Sequence, residues 1–202
     1  MRETKDLFLS KCVQTLDDTA FIIGGSRDRQ SQSTISDVIQ YTVKATGVIT
    51  QEEKAPMLTA RSSHGCVVNV HKNEIYVAGG YHEGKLTRSC EAYNVATNSW
   101  RQLPSLNEEK CSSSLCVLNG RYIYCFGGLT KQENAAYLLS SIEMLDLESP
   151  NPKWLMLSIK MPHQVCDMGA IPLNETDMLL FGGWNKQALT AAFIMKQNFR
   201  ND

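Results

Sequence analysis

Ile75-Tyr76-Val77-Ala78-Gly79-Gly80 is an apolar run of four residues closed by two glycines. A run this short, ended by residues that tolerate positive φ, reads as a strand buried on both faces. The same pattern returns as Ala20-Phe21-Ile22-Ile23-Gly24-Gly25, Ile123-Tyr124-Cys125-Phe126-Gly127-Gly128 and Met178-Leu179-Leu180-Phe181-Gly182-Gly183. Successive doublets are 55, 48 and 55 residues apart. A near-constant period of about 50 residues signals a structural repeat.

Upstream of each doublet lies a polar turn such as Asn119-Gly120, a dipeptide suited to a two-residue hairpin. Before that turn comes another apolar segment, as in Gly65-Cys66-Val67-Val68 or Leu115-Cys116-Val117-Leu118. Downstream, a polar loop leads to two more strand-like segments, clearest in Glu91-Ala92-Tyr93-Asn94-Val95 and Ser99-Trp100-Arg101-Gln102-Leu103. Each repeat therefore holds four strands. The joints between repeats also recur: Met57 to Arg61, Leu106 to Lys110 and Met161 to Val165 each span four positions, and their last residues precede the next doublet by 18, 17 and 17.

With the doublet, Tyr93-Asn94 and Trp100 in place, the second repeat closely resembles the kelch consensus. The third follows with Leu145-Asp146 and Trp154, across a longer Glu148-Ser149-Pro150-Asn151-Pro152 turn. The first keeps Tyr41 and has Val48 in the tryptophan place, and the fourth departs from the pattern after Trp184. The resemblance covers about residues 7 to 195. It implies an all-β fold, a kelch-type β-propeller of four-stranded antiparallel blades, with about four blades present in an incomplete, open propeller. The repeats are expected at about 7–57, 58–106, 107–161 and 162–202, the last truncated, within one partial propeller. Gly24, Gly25, Gly79, Gly80, Gly127, Gly128, Gly182 and Gly183, with Tyr93, Trp100 and Trp154, read as packing residues. An open arc of blades exposes apolar flanks, so a fragment of a longer protein is expected, the alternatives being two copies that complete each other or an open arc with sticky flanks that self-associates through open blade edges.

Of 202 residues, 43% are hydrophobic and 20% charged, a globular composition. Twenty Lys and Arg against 21 Asp and Glu leave no overall field to draw nucleic acid or anionic lipid, so neither is expected as a partner. Seven cysteines, none in C-x-x-C spacing, read as reduced thiols, and several that sit among apolar residues, as in Cys66-Val67-Val68 and Tyr124-Cys125-Phe126, read as small buried hydrophobes. The N-terminus lacks a signal-peptide pattern and no apolar run approaches membrane-spanning length, which points to the cytoplasm.

Residues for chemistry do not assemble. His64, His71, His82 and His163 lie in different repeats without ligand spacing and read as surface or rim residues. Gly79-Gly80-Tyr81-His82-Glu83-Gly84-Lys85-Leu86 imitates a phosphate loop, but Leu86 stands where a magnesium-binding Ser or Thr is needed, so an inter-strand loop is expected. No catalytic residue, cofactor or metal site is expected. A second reading is a kelch-like enzyme of the copper-dependent galactose-oxidase or sugar-modifying kind, for which the required tyrosine and histidine ligands cannot be assembled.

The resemblance instead implies a protein-interaction module, a scaffold or adaptor that binds through the loops after the second strands and the inter-blade joints. On that plan Arg27, Arg29, Arg61, Tyr81, Lys85, Arg88, Lys110, Lys131, Trp184 and Lys186 lie near one face. Such a face would suit an acidic or phosphorylated peptide. Solvated loop charge is the alternative, because Asp28, Glu83, Glu108, Glu109 and Glu133 share those loops. Kelch domains of ubiquitin-ligase receptors follow a BTB and a helical region. These 202 residues contain neither, which leaves a ligase role unsupported.

Overall fold

In the computed structural model, which describes residues 7–133 and 135–197, every regular element is a strand. Two compact units divide the chain between Cys111 and Ser112.

The first unit holds two four-stranded antiparallel sheets. One runs in sequence order through β1 (Lys11–Gln14), β2 (Thr19–Ser26), β3 (Thr34–Val43) and β4 (Ile49–Lys54). The other joins β5 (Gly65–Asn69), β6 (Glu74–Ala78), β9 (Cys90–Asn94) and β10 (Ser99–Leu103) in that order. Between β6 and β9 a two-stranded ribbon, β7 (Tyr81–His82) and β8 (Lys85–Leu86), projects from the sheet. Glu83 and Gly84, both at positive φ, make its tight turn, as a two-residue hairpin demands. The stretch that imitates a phosphate loop is thus a β-ribbon, the expected inter-strand connection.

The second unit repeats the plan. β11 (Ser114–Leu118), β12 (Tyr122–Phe126), β15 (Ile142–Asp146) and β16 (Trp154–Met156) form a four-stranded sheet, with the ribbon β13 (Leu129–Gln132) and β14 (Ala135–Leu138) after β12. β17 (Gly169–Pro172), β18 (Asp177–Phe181) and β19 (Ala192–Lys196) form a three-stranded sheet. The expected apolar runs before the doublets are β6, β12, β18 and the middle of β2. In the first sheet the doublet lies inside the strand, which continues past a bulge at Ile23/Gly25.

Alternate side chains of each second strand face opposite ways, and the sheets within a unit stack through them. Phe21, Ile23 and Val38 of the first sheet meet Ile75, Val77 and Tyr93 of the second, with Met57 from the joint in the same core. The Phe21 and Tyr93 rings meet edge to face at 6.0 Å, and Trp100 lies 5.1 Å from Tyr93. In the second unit Tyr124, Phe126 and Ile142 meet Met178 and Leu180, with Met161 and Val165 from the joint. Tyr93 and Trp154 are buried. Trp100 is half-buried and donates its indole N–H to the Ala55 carbonyl at 2.8 Å, a contact from one sheet to the end of the preceding one.

Register corrects one sequence assignment. Tyr93 pairs with Trp100 and Leu145 with Trp154, but Tyr41 pairs with Gln51. The tryptophan place in the first sheet is therefore held by Gln51. Val48 lies in the preceding turn and is 55% exposed. The turn around Gly47 lengthens the connection, and counting from Tyr41 falls three residues short.

The glycines explain the spacing of the joints. Gly25 donates its N–H to the Arg61 carbonyl, Gly80 to that of Lys110 and Gly128 to that of Val165, at 2.8, 2.8 and 2.9 Å. These acceptors are the final joint residues read from the sequence. The approach leaves no room for a side chain: a Cβ on Gly24 would lie 2.5 Å from the Arg61 oxygen. One residue beyond each contact, the chains pair as Ser62 with Tyr81 and Cys166 with Trp184, and Phe8 pairs in the same way with Ser26.

Candidate functional site

The loop between β2 and β3, residues 27–33, is organised by one carboxylate. Asp28 accepts the N–H groups of Gln30, Gln32 and Ser33 at 2.8, 3.1 and 2.6 Å. Burial alone would raise its pKa, but those N–H groups prevail and hold the carboxyl below its ordinary value. The loop then leans on the β7–β8 ribbon. Gly84 donates to the Ser31 carbonyl at 3.1 Å, Glu83 to the Thr34 hydroxyl at 3.3 Å, and the Gln32 side chain occupies the space beside the Gly84 Cα. Below them Ser62 donates to Ser31 at 2.8 Å, both hydroxyls buried, and His82 Nδ1 lies 2.8 Å from the Ala60 carbonyl. Loop, ribbon and joint form one surface.

Arg27, Arg29, Lys85 and Arg88 are exposed. Arg27 is paired at 3.1 Å with Asp37, and Arg29 lies over the Phe8 ring at 5.3 Å. Tyr81 is half-buried, and burial, then the neighbouring Cys111, pushes its phenol up to about 12, so it stays protonated at neutral pH.

Two expected contact residues are placed otherwise. Arg61 is fully buried, ion-paired to Glu91 at 2.5 Å, and donates to the Gly79 and Ser89 carbonyls at 2.9 and 2.8 Å. Lys110 is likewise buried, with Glu108 at 3.2 Å. A cation without solvent access offers nothing to a docking partner, so both leave the proposed face and join its foundation. The expectation of rim histidines also fails at His64. It is fully buried with neither ring nitrogen hydrogen-bonded, and burial, then Arg61 and Lys11, lowers its pKa well below 6.5.

In the second unit, considered by itself, Lys131 and Lys186 are exposed and Trp184 is 47% exposed on the bridge to Cys166. Among the described residues no group of His, Cys, Asp and Glu is arranged to hold a metal ion, and no helix is long and apolar enough to cross a membrane.

Sequence reading missed Asp28 as the loop's organiser and Glu91 as the partner of Arg61. An Asp at the head of a polar loop is a recognisable turn former. Glu91 lies 30 residues from Arg61, and no local signal joins them.

A family model for the KLHDC2/KLHL20/DRC7 Kelch-repeats domain matches residues 10–200. The chain is 31% identical over 131 residues to Kelch-like protein 40 of Xenopus laevis, covering 65% of this chain and 20% of that protein. It is 32% identical over 137 residues to Kelch-like protein 41a of Danio rerio, covering 66% and 22%. It is 38% identical over 110 residues to Kelch repeat and BTB domain-containing protein 1 of Cowpox virus (strain Brighton Red), covering 53% and 18%. The match spans about a fifth of the length of each of these relatives.

Proposed function

This chain belongs to the kelch-repeat family, and from that premise we propose that it is a cytoplasmic protein-interaction module, a scaffold or adaptor, that holds a partner polypeptide on the loop surface of its first unit. The observation that carries this reading is the buttressed loop. Asp28 fixes residues 27–33, and the ribbon turn at Glu83-Gly84 braces them. A loop held in one shape before binding loses less conformational entropy when a partner arrives.

Arg29 of the loop and Lys85 of the ribbon are exposed on this surface, Arg88 is exposed just after the ribbon, and Tyr81 supplies an apolar body with a hydroxyl. Exposed guanidinium groups favour carboxylate or phosphate oxygens. The partner we infer is therefore an acidic or phosphorylated segment, with Arg27 contributing less because Asp37 already engages it.

The test reverses Arg29, Lys85 and Arg88 to Glu together and compares the proteins captured from a cytosolic extract with those held by the wild type. Loss of the captured set, with an unchanged melting temperature, supports the reading. An identical set would refute this surface as the contact.

A further inference from the structure

We infer that the outer edge of β14 receives an extended segment of a partner polypeptide as an added strand, held by main-chain hydrogen bonds and by an aromatic or β-branched side chain beside Tyr137.

Register defines the edge. Leu139 donates its N–H to the Gly128 carbonyl at 2.9 Å. Main-chain groups alternate in direction along an antiparallel strand, so Tyr137 and Ala135 also turn theirs toward β13, while Ser140, Leu138 and Ala136 turn theirs away. The Ser140 carbonyl accepts the N–H of Met161, from the joint, at 2.9 Å. Beyond that bond the outward main-chain groups of Leu138 and Ala136 have no main-chain partner among the described residues.

The first unit shows what meets this place elsewhere in the chain. Opposite the second glycine of the first three doublets stand Ile35, Thr87 and Leu139. The next residues, Ser36, Arg88 and Ser140, each accept a joint N–H, from Met57, Leu106 and Met161. By the same count Ala136 shares its place with Gln32 and Gly84. The Gln32 N–H goes to the Asp28 carboxylate at 3.1 Å, and the Gly84 N–H to the Ser31 carbonyl at 3.1 Å. Of these three, the Ala136 N–H alone has no acceptor among the described residues.

The residues of the strand agree with an open edge. Edge strands are ordinarily guarded by charge, proline or brevity. β4 carries Glu52, Glu53 and Lys54, and β10 carries Arg101. β16 has three residues, and β8 has two, one of them Lys85. β14 runs for four residues, Ala135-Ala136-Tyr137-Leu138, without a charge or a proline, and Tyr137 is 51% exposed. The small side chains at 135 and 136 let another backbone come close, and the Tyr137 ring offers a cross-strand contact. An extended polypeptide is the occupant that supplies acceptors and donors at alternate residues to an uncharged edge. The site lies wholly in the second unit and does not depend on the loop surface of the first.

The probe is a library of random peptides of about ten residues displayed on phage. It is selected on the immobilised 202-residue chain in the presence of excess soluble Ala136→Pro chain. Proline at 136 removes the outward N–H and spares the bonds to β13, and a circular dichroism melt checks that the variant folds. In fluorescence anisotropy, selected peptides should bind Ala136→Pro at least about tenfold more weakly than the wild type. They should bind the triple reversal of Arg29, Lys85 and Arg88 to Glu as they bind the wild type. Methylating the peptide's amide nitrogens one at a time should abolish binding at every second position only, the signature of a strand in a ladder. On the wild type alone, bound peptide should slow amide hydrogen exchange at Ala136 and Leu138, a readout that does not need the variant. A selection that yields no such peptide would overturn the proposal. So would methylation losses without the two-residue period, or exchange at Ala136 and Leu138 that the peptide leaves unchanged. Binding lost in the triple reversal would assign the peptide to the loop surface and equally overturn β14 as its seat.

Discussion

Arg61 and Glu91 face each other at 2.5 Å with neither side chain exposed to solvent, and the Arg61 carbonyl accepts the N–H of Gly25 from the preceding sheet. Through its side chain the same residue holds the Gly79 and Ser89 carbonyls of its own sheet. Glu91 in turn accepts the N–H groups of Leu58 and Thr59 at 2.7 and 3.0 Å. The pair therefore ties the joint to the sheet that follows it.

Arg61→Met strands a buried carboxylate and should destabilise the first unit by about 3–5 kcal/mol. Arg61→Met with Glu91→Leu removes both charges and should recover part of that loss. Urea unfolding of the two single variants and the double variant measures the coupling. Additive effects would show that the two side chains do not act as a pair.

Gly24→Ala and Gly47→Ala separate backbone strain from steric closure. Both glycines have positive φ, 56° and 77°, but a Cβ at Gly47 meets nothing within 4 Å while one at Gly24 meets the Arg61 carbonyl and the Met57 methyl. The expected costs are about 1 kcal/mol at Gly47 and about 2–4 kcal/mol at Gly24. Chemical denaturation midpoints give both values, and equal costs would contradict the close approach.

Trp100→Ala should cost about 2–4 kcal/mol, less than for a fully buried indole because the ring is half-exposed at the sheet edge. Trp100→Phe keeps contact with Tyr93 and loses only the bond to the Ala55 carbonyl, for about 1 kcal/mol. A thermal melt of each variant checks the ranking.

The buried His64 makes stability depend on pH. Its folded pKa lies well below 6.5, so on acidification the unfolded chain takes up the proton first. Its contribution is complete above pH 6.5 and declines below it, by up to about 1.4 kcal/mol per pH unit. Asp28 and Asp146, both depressed below 3.8, lose their contributions only as pH falls past that value. Urea midpoints between neutral pH and about pH 5 should fall for the wild type and stay nearly flat for His64→Leu.

The doublets, the four-strand repeat and the joints were legible because each rests on local chemistry: a short apolar run, a turn former, a glycine that no other residue can replace. Gln51 in the tryptophan place was hidden because an extended turn shifts the register without changing the residues that flank it. Arg61, Lys110 and His64 were misplaced for a different reason. Charge and polarity predict exposure on average, and the partners that permit burial, such as Glu91, are distant in sequence. At the loop surface the exposed Arg29 and Lys85 follow from composition, while its shape depends on hydrogen bonds from Gln30, Gln32 and Ser33 to a single Asp28.

The bonds from Gly25 to Arg61, Gly80 to Lys110 and Gly128 to Val165 each reach 36, 30 or 37 residues forward. No repeat contains both ends of its own clasp. Inserting or deleting one whole period hands each glycine the carbonyl of whichever neighbour comes next, wherever the cut falls within the period. A deletion that removes a doublet or a joint breaks a clasp, whereas the loops between them can differ in length, as the three spans do. Families built this way can gain or shed whole periods during evolution, and because the clasp is made by main-chain groups, the joint side chain can change from Arg61 to Lys110 to Val165 without losing it.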